Sequence, residues 1–176
     1  MMALEPKPLL SEEAIAARVA DLAAEISRDY AGQSLHILGV LKGAFIFLAD
    51  LTRQLTVTHH VHFVSVASYG KSTVSAGVRL LLDVDEDIQD QHVLIVDDIL
   101  DTGATLGYLV EMFAARDPAS LKTCVMVRKS KPEAAPALID YVGFEIPDEW
   151  VVGYGLDYAD QFRTLPYIAT VDPTAE

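Results

Sequence analysis

Hydrophobic positions along this chain follow two different periods. From Ile15 through Val19 and Leu22 to Ile26 they recur at spacings of four, three and four, which is the stripe one face of an α-helix presents. Ser11 stands ahead of the stripe with Glu12 and Glu13 behind it. A Ser cap followed by acids, whose charge complements the helix dipole, predicts where that helix starts. Tyr30-Ala31-Gly32-Gln33 ends it. Beyond that point the apolar residues come in short runs. Leu35–Leu41, Phe63–Tyr69, Val78–Leu82, Val93–Val96, Leu121–Val127 and Trp150–Val152 are predicted strands, several of them apolar enough to be covered on both faces. Ala44–Leu51 and Leu106–Phe113 are predicted helices. Gly70 to Gly77 is small and polar between two glycines, the composition of a loop or lid.

Length and charge narrow the picture. A chain of 176 residues suits one domain with a sizeable core, and no repeat or linker divides it. The expected organisation is a single domain over 1–176, with 1–10 a frayed lead and 172–176 a disordered tail. No apolar run approaches membrane-spanning length, and Glu5, Pro6 and Pro8 do not make a basic-then-apolar signal segment. The single cysteine, Cys124, excludes an internal disulfide and fits a cytoplasmic protein; its apolar surroundings assign it to the core. A net charge of −13, from 26 acids against 13 Lys and Arg, argues against nucleic acid as a partner. A polyphosphate substrate remains compatible, because local amides, a few cations and magnesium outweigh distant charge.

The chemistry concentrates in Val93–Leu106, which reads V-L-I-V-D-D-I-L-D-T-G-A-T-L. Asp97 and Asp98 interrupt the run where a strand would leave its sheet. Asp101, Thr102, Gly103, Ala104 and Thr105 then lead into a helix. A loop of small residues before a helix can aim several backbone N–H groups at one anion. Capping alone would explain one Asp; three such acids beside an anion loop call for more. A divalent metal, or a ligand anionic at one end and rich in hydroxyls elsewhere, reconciles them. The same acids match the D-D-x-x-D motif of prenyl-transfer enzymes, but those lie within a long helix, and here a β-branched run and Gly103 surround them. His59, His60 and His62 form a small cluster, with His60 and His62 on one strand face. No third ligand at a familiar spacing accompanies it, so it is not taken as a metal site.

The stretch resembles the phosphoribosyl-diphosphate (PRPP) binding loop of the type I phosphoribosyltransferases. Leu41-Lys42-Gly43 and the segment Tyr141–Tyr167, Y-V-G-F-E-I-P-D-E-W-V-V-G-Y-G-L-D-Y-A-D-Q-F-R-T-L-P-Y, resemble the hypoxanthine-guanine members in particular. The resemblance runs from about Leu35 to Val171. It implies an α/β fold, a mostly parallel sheet with helices on both faces and a small hood built from the chain ends and the purine-binding segment. It implies transfer of the phosphoribosyl group from PRPP to a 6-oxopurine, hypoxanthine or guanine, giving inosine or guanosine monophosphate and diphosphate, with Mg2+ as cofactor. It also implies a homodimer or homotetramer.

Residue by residue, the resemblance assigns Asp97 and Asp98 to the ribose hydroxyls and Asp101 through Thr105 to the 5′-phosphate. Asp101 is the expected general base. Leu41, Lys42, Gly43 and Arg163 would meet the diphosphate, with a cis bond before Lys42. Asp157, together with Asp97 and Asp98, would hold the metal. Ser68 and Tyr69 belong to the expected lid. Trp150, where relatives more often carry Phe or Tyr, would stack on the purine, and Val151 would offer backbone groups to its edge. Lys129 or Lys131 would donate to the purine 6-oxygen; Lys129 aligns, but Arg128 and Ser130 depart from the family pattern. Two other readings remain. A non-catalytic nucleotide-binding regulator shares this fold, and a receiver-type signalling module shares the acidic pocket while leaving Tyr141–Tyr167 unexplained. Preference for xanthine is a further alternative within the enzyme reading.

Overall fold

The computed structural model describes residues 5–68, 78–131 and 139–173. Helix α1 (Glu12–Asp29) starts where the sequence predicts: the Ser11 hydroxyl accepts from the Ala14 N–H at 3.2 Å. Ile15, Val19, Leu22 and Ile26 are all buried, so the stripe is the face α1 turns inward.

Strands β2 (Leu35–Leu41), β3 (His59–Ser68), β4 (Val78–Leu82), β5 (His92–Leu100), β6 (Ser120–Lys129) and β7 (Tyr141–Ile146) form one sheet. Its spatial order is β4-β3-β2-β5-β6-β7. Every pairing is parallel except that of β3 with β4. Helix α2 (Phe45–Gln54) follows β2, and α3 (Ala104–Ala114) follows β5. Alternate residues of the central strands face opposite layers. Ile37, Leu94, Val96 and Cys124 pack with α1 and α2, while Leu38, Val40, Ile95 and Val125 pack with Leu106, Leu109 and Phe113 of α3. The sheet is therefore covered on both sides, as the continuous apolar runs require. Burial raises the Cys124 thiol pKa far above the ordinary range, which leaves it an inert core residue.

A second, antiparallel sheet has the order β1-β9-β8, built from β1 (Lys7–Leu10), β8 (Trp150–Val152) and β9 (Ile168–Val171). This is the expected hood, made from both ends of the chain and the Trp150 segment. Over Lys7–Leu10 it corrects the reading of a frayed lead: Lys7 pairs with Thr170 and Pro8 with Ala169. A four-residue strand with two prolines nearby has too weak a local pattern to announce itself; β9 supplies the partner. Strand β5 also runs further than the apolar pattern suggested. It continues through Asp97 and Asp98 to Leu100 because β6 pairs beside it to Arg128.

At the opposite, N-terminal ends of β2 and β3, His36 and His62 are buried. Burial, with His60 and His62 alongside, holds His36 below the ordinary histidine range. His59 turns away and donates to the Val57 carbonyl at 2.9 Å.

Removal of residues 1–10 tests the place of β1 in the hood. Stripping one edge of β9 is expected to lower the melting temperature by at least about 2–4 °C, the shift that ~1 kcal/mol produces in a chain of this size. A frayed lead would leave the thermal transition, followed by circular dichroism, where it was.

Candidate functional site

Parallel strands β2 and β5 are neighbours, yet the chain leaves β2 toward β3 and leaves β5 toward β6. Where successive connections diverge in this way, a crevice opens at the carboxyl ends of the strands. Leu41 and Gly43 line it from one side, and the run Asp97 to Leu106 from the other, around a cleft of about 260 Å³. The Leu41–Lys42 peptide at its rim is cis, as the resemblance implies. Gly103 adopts φ +82°, a left-handed conformation that glycine tolerates best. That bend turns the loop into α3, whose first N–H groups have no partner within the helix. Asp101, Thr102, Gly103, Ala104 and Thr105 thus surround a natural anion site.

The acids beside it are costly to hold. Asp97 is 6% exposed. Its carboxylate accepts from the Asp98 N–H at 2.9 Å, and that of Asp98 accepts from the Ile99 N–H at 3.0 Å. Burial first, and then the neighbouring Asp98 charge, push the Asp97 pKa well above the usual carboxylate range. Asp98 is raised too, chiefly by burial. Two adjacent buried carboxylates resist ionising together. They suit a ligand that offers hydroxyl protons or positive charge.

Close backbone approach frames the same spot. A Cβ on Gly43 would lie 1.7 Å from the Asp98 carboxylate, and one on Gly155 would lie 1.9 Å from the Gly43 carbonyl. Gly155 has φ +104°, and Tyr154, Ala159, Asp160 and Phe162 also have positive φ. Residues other than glycine rarely accept this, and such clusters gather at binding loops. The segment is pinned from within and without. The Gly155 N–H donates to the Arg163 carbonyl at 2.9 Å, and the Tyr154 hydroxyl donates to Asp50 of α2 at 2.7 Å.

The loop therefore carries Asp157 and Arg163 back to β2. The Arg163 guanidinium reaches Asp157 at 2.7 Å, Asp160 at 3.1 Å and the Gly155 carbonyl at 2.8 Å. Lys42 reaches Asp160 at 3.4 Å. Asp160 is a residue the sequence reading missed. It gathers both cations near the crevice, across 118 positions of chain in the case of Lys42.

On the other side, Lys129 and Lys131 converge on two carboxylates. Lys131 lies 2.5 Å from Asp101 and 3.1 Å from Asp148; Lys129 lies 3.6 Å and 3.4 Å from the same two. Asp148 was also missed: it lies inside the Tyr141–Tyr167 segment, but nothing local in the sequence points to its lysine partners. Lys129 is buried, and its ammonium sits 5.7 Å from the centre of the Trp150 ring. Trp150 is 57% exposed and meets Tyr158 edge-on at 5.9 Å. It is a mostly exposed ring. Val151 is buried in β8, an edge strand, so some of that strand's backbone groups face away from β9. Ser68 ends β3; Tyr69 lies outside the described residues.

Comparison with known proteins points to one family. The phosphoribosyl transferase domain model matches residues 7–159. A hypoxanthine-guanine phosphoribosyltransferase of Mycobacterium avium is 47% identical over 172 residues, covering 94% of this chain and 85% of its own. A hypoxanthine phosphoribosyltransferase of Escherichia coli is 42% identical over 166 residues, covering 93% of each. The crystal structure of a hypoxanthine-guanine phosphoribosyltransferase from Bacillus anthracis superposes with a TM-score of 0.90 at 41% identity, over 96% of this chain and 100% of that one.

The raised Asp97 pKa has a measurable sign. The folded protein holds that proton more tightly than the unfolded chain, so this group's contribution is fully present below the ordinary Asp pKa and is lost as pH rises toward the folded value. Asp97→Asn removes the penalty. In ligand-free protein at neutral pH it is expected to raise the melting temperature relative to the parent, with the difference shrinking as pH falls toward about 4. A lower melting temperature at neutral pH would contradict the assigned cost.

Proposed function

The chain belongs to the phosphoribosyl transferase family, and on that premise we propose that it is a purine-salvage enzyme moving the 5-phosphoribosyl group of PRPP to N9 of hypoxanthine or guanine. The products are the nucleoside 5′-monophosphate and diphosphate. The relatives named above carry this activity in their names. The observation that carries the reading is that the crevice has two complementary halves joined by Asp101. One is the acid pair and anion loop of Asp97–Thr105, which line the cleft; the other, next to it, is buried Lys129 over the exposed Trp150 ring.

The PRPP half follows from charge and hydrogen bonding. Asp97 and Asp98 accept the ribose hydroxyl protons, which stabilises carboxylates that burial otherwise disfavours. The amides from Asp101 to Thr105 hold the 5′-phosphate. Leu41, Lys42 and Gly43 lie against the diphosphate, and Arg163 and Lys42 exchange their contacts with Asp160 for that group. Asp97 and Asp98 are hard oxygen donors lining the cleft, chemistry that fits Mg2+, and Asp157, paired with Arg163 rather than gathered with them, would join through a bound substrate. When bound, Mg2+ would offset charge on the departing diphosphate.

The purine half sets direction and choice. Trp150 stacks on the ring, Val151 offers backbone groups to its edge, and Asp101 takes up the purine proton as N9 attacks the anomeric carbon. Lys129 donates to the 6-oxygen. An ammonium has no acceptor, so the 6-amino group of adenine would leave it unpaired and be strongly disfavoured. Lys129 is preferred over Lys131 here because it is the more buried and lies over Trp150. The Ser68–Tyr69 loop excludes water from the reacting centre. One cytoplasmic domain acting as a homodimer or homotetramer completes the reading. The exposed Phe45, Val61 and Phe63 offer apolar surface to a second copy.

Diphosphate release from PRPP with hypoxanthine, guanine, xanthine or adenine tests the proposal: hypoxanthine and guanine should react, and adenine should not. Absence of PRPP-dependent release with every base would overturn it. Asp101→Asn is expected to lower kcat by about 10²-fold, the range for lost acid–base catalysis, while PRPP affinity, read by calorimetry, changes little. Trp150 is the sole tryptophan, so its emission reports base binding directly. Inosine monophosphate should quench it saturably and ribose 5-phosphate should not. Trp150→Ala should weaken monophosphate binding by about 1–3 kcal/mol, the range for aromatic–base stacking, with its thermal melt retained.

A further inference from the structure

Three side chains far from the crevice converge on one point. His36 enters from β2 and His62 from β3, with Nδ1 of the first 3.2 Å from Nε2 of the second. The two rings are parallel within 5°. Glu86, from the turn between β4 and β5, brings a carboxylate oxygen to 3.9 Å from the same His62 nitrogen. All three ligand atoms lie within 4.8 Å of one another. Both imidazoles are buried, whereas the Glu86 side chain is 54% exposed. The cluster thus has a fixed inner part and an adjustable outer arm open to solvent.

We propose that His36, His62 and Glu86 form a site for a borderline divalent transition ion of the Zn2+ or Co2+ class, separate from the crevice. Zn–N bonds of about 2.0–2.1 Å at the tetrahedral angle hold two nitrogens roughly 3.3 Å apart. The observed 3.2 Å is close to that edge length. The two facing ring nitrogens share one proton; the donating ring shifts it to its other nitrogen, and both rings tilt so their lone pairs meet beside the N···N line. Glu86 closes as the third ligand, leaving the fourth position to water. Two imidazoles and a carboxylate favour zinc-class ions over Mg2+.

The location assigns the ion a structural role. His36 is paired in register with Val93, four residues before Asp97 on the neighbouring strand. At ~3.3 Å per residue that is about 13 Å from the acid pair along the sheet. His62, level with Leu38 and Ile95, is nearer along the strands but two strands over, so the ion would join β2 and β3 to the turn after β4 beside the sheet rather than in the crevice.

Chelator-treated full-length protein, titrated with ZnCl2 in Mg2+-free buffer by calorimetry, should take up one ion per chain and melt at a higher temperature. CoCl2 should give visible d–d bands of low-symmetry tetrahedral type. Glu86→Gln, at an exposed side chain, should weaken Zn2+ binding by about tenfold or more and leave phosphoribosyl transfer unchanged. His62→Asn should abolish it, with folding checked by circular dichroism. Asp97→Asn should leave Zn2+ binding intact. The proposal falls if the parent binds no Zn2+, if both Glu86→Gln and His62→Asn bind it as tightly as the parent, or if Asp97→Asn is the variant that loses it.

Discussion

Two carboxylates held side by side at the carboxyl end of a buried strand set the terms for the rest of this molecule. Asp97 and Asp98 sit where β5 emerges between β2 and β6, with apolar layers packed on both faces of the sheet behind them. Neither has a cation as its hydrogen-bond partner among the described residues; each accepts instead from the next backbone N–H. The arrangement is unfavourable in isolation, and it persists because a covered parallel sheet fixes the position of β5. Stability is given up at the site and recovered in the layers around it, which is how functional strain is ordinarily supported.

The surrounding parts can be understood as responses to that pair. Gly43 has no side chain because Asp98 occupies the space, and Gly155 has none because the Gly43 carbonyl does. The loop that passes through Gly155 is thereby forced close to β2, and Arg163 and Lys42 reach the same carboxylate. The net charge of −13 therefore hides a local concentration of cations. Lys42, Arg163, Lys129 and Lys131 gather around the crevice, each paired with an acid.

Much of this was legible in the chain because the signals were local. The Ile15–Ile26 stripe, the Ser11 cap, the β-branched run before Asp97 and the small-residue loop after it each lie within a few residues of what they specify. The acids Asp160 and Asp148 were not legible, since their partners are brought together only by the fold. The same is true of His36 and Glu86: the local pattern holds three histidines between 59 and 62, yet the close pair joins one of them to a residue 26 positions earlier. Strand β1 was missed for a related reason. Its pairing partner lies at the far end of the sequence, and four residues carry too little periodicity to reveal it.

The hood has a consequence for how the molecule comes into being. Synthesis proceeds from the N-terminus, and segments can fold as they emerge. The six strands of the main sheet lie within the chain up to Ile146, so the acid pair and the anion loop need no later residue to complete their sheet. Among the described residues strand β8 pairs with β9, and β9 ends at Val171. The main sheet and the acid pair it carries therefore owe nothing to the last segment made, whereas the Trp150 strand waits for the end of the chain to find its partner.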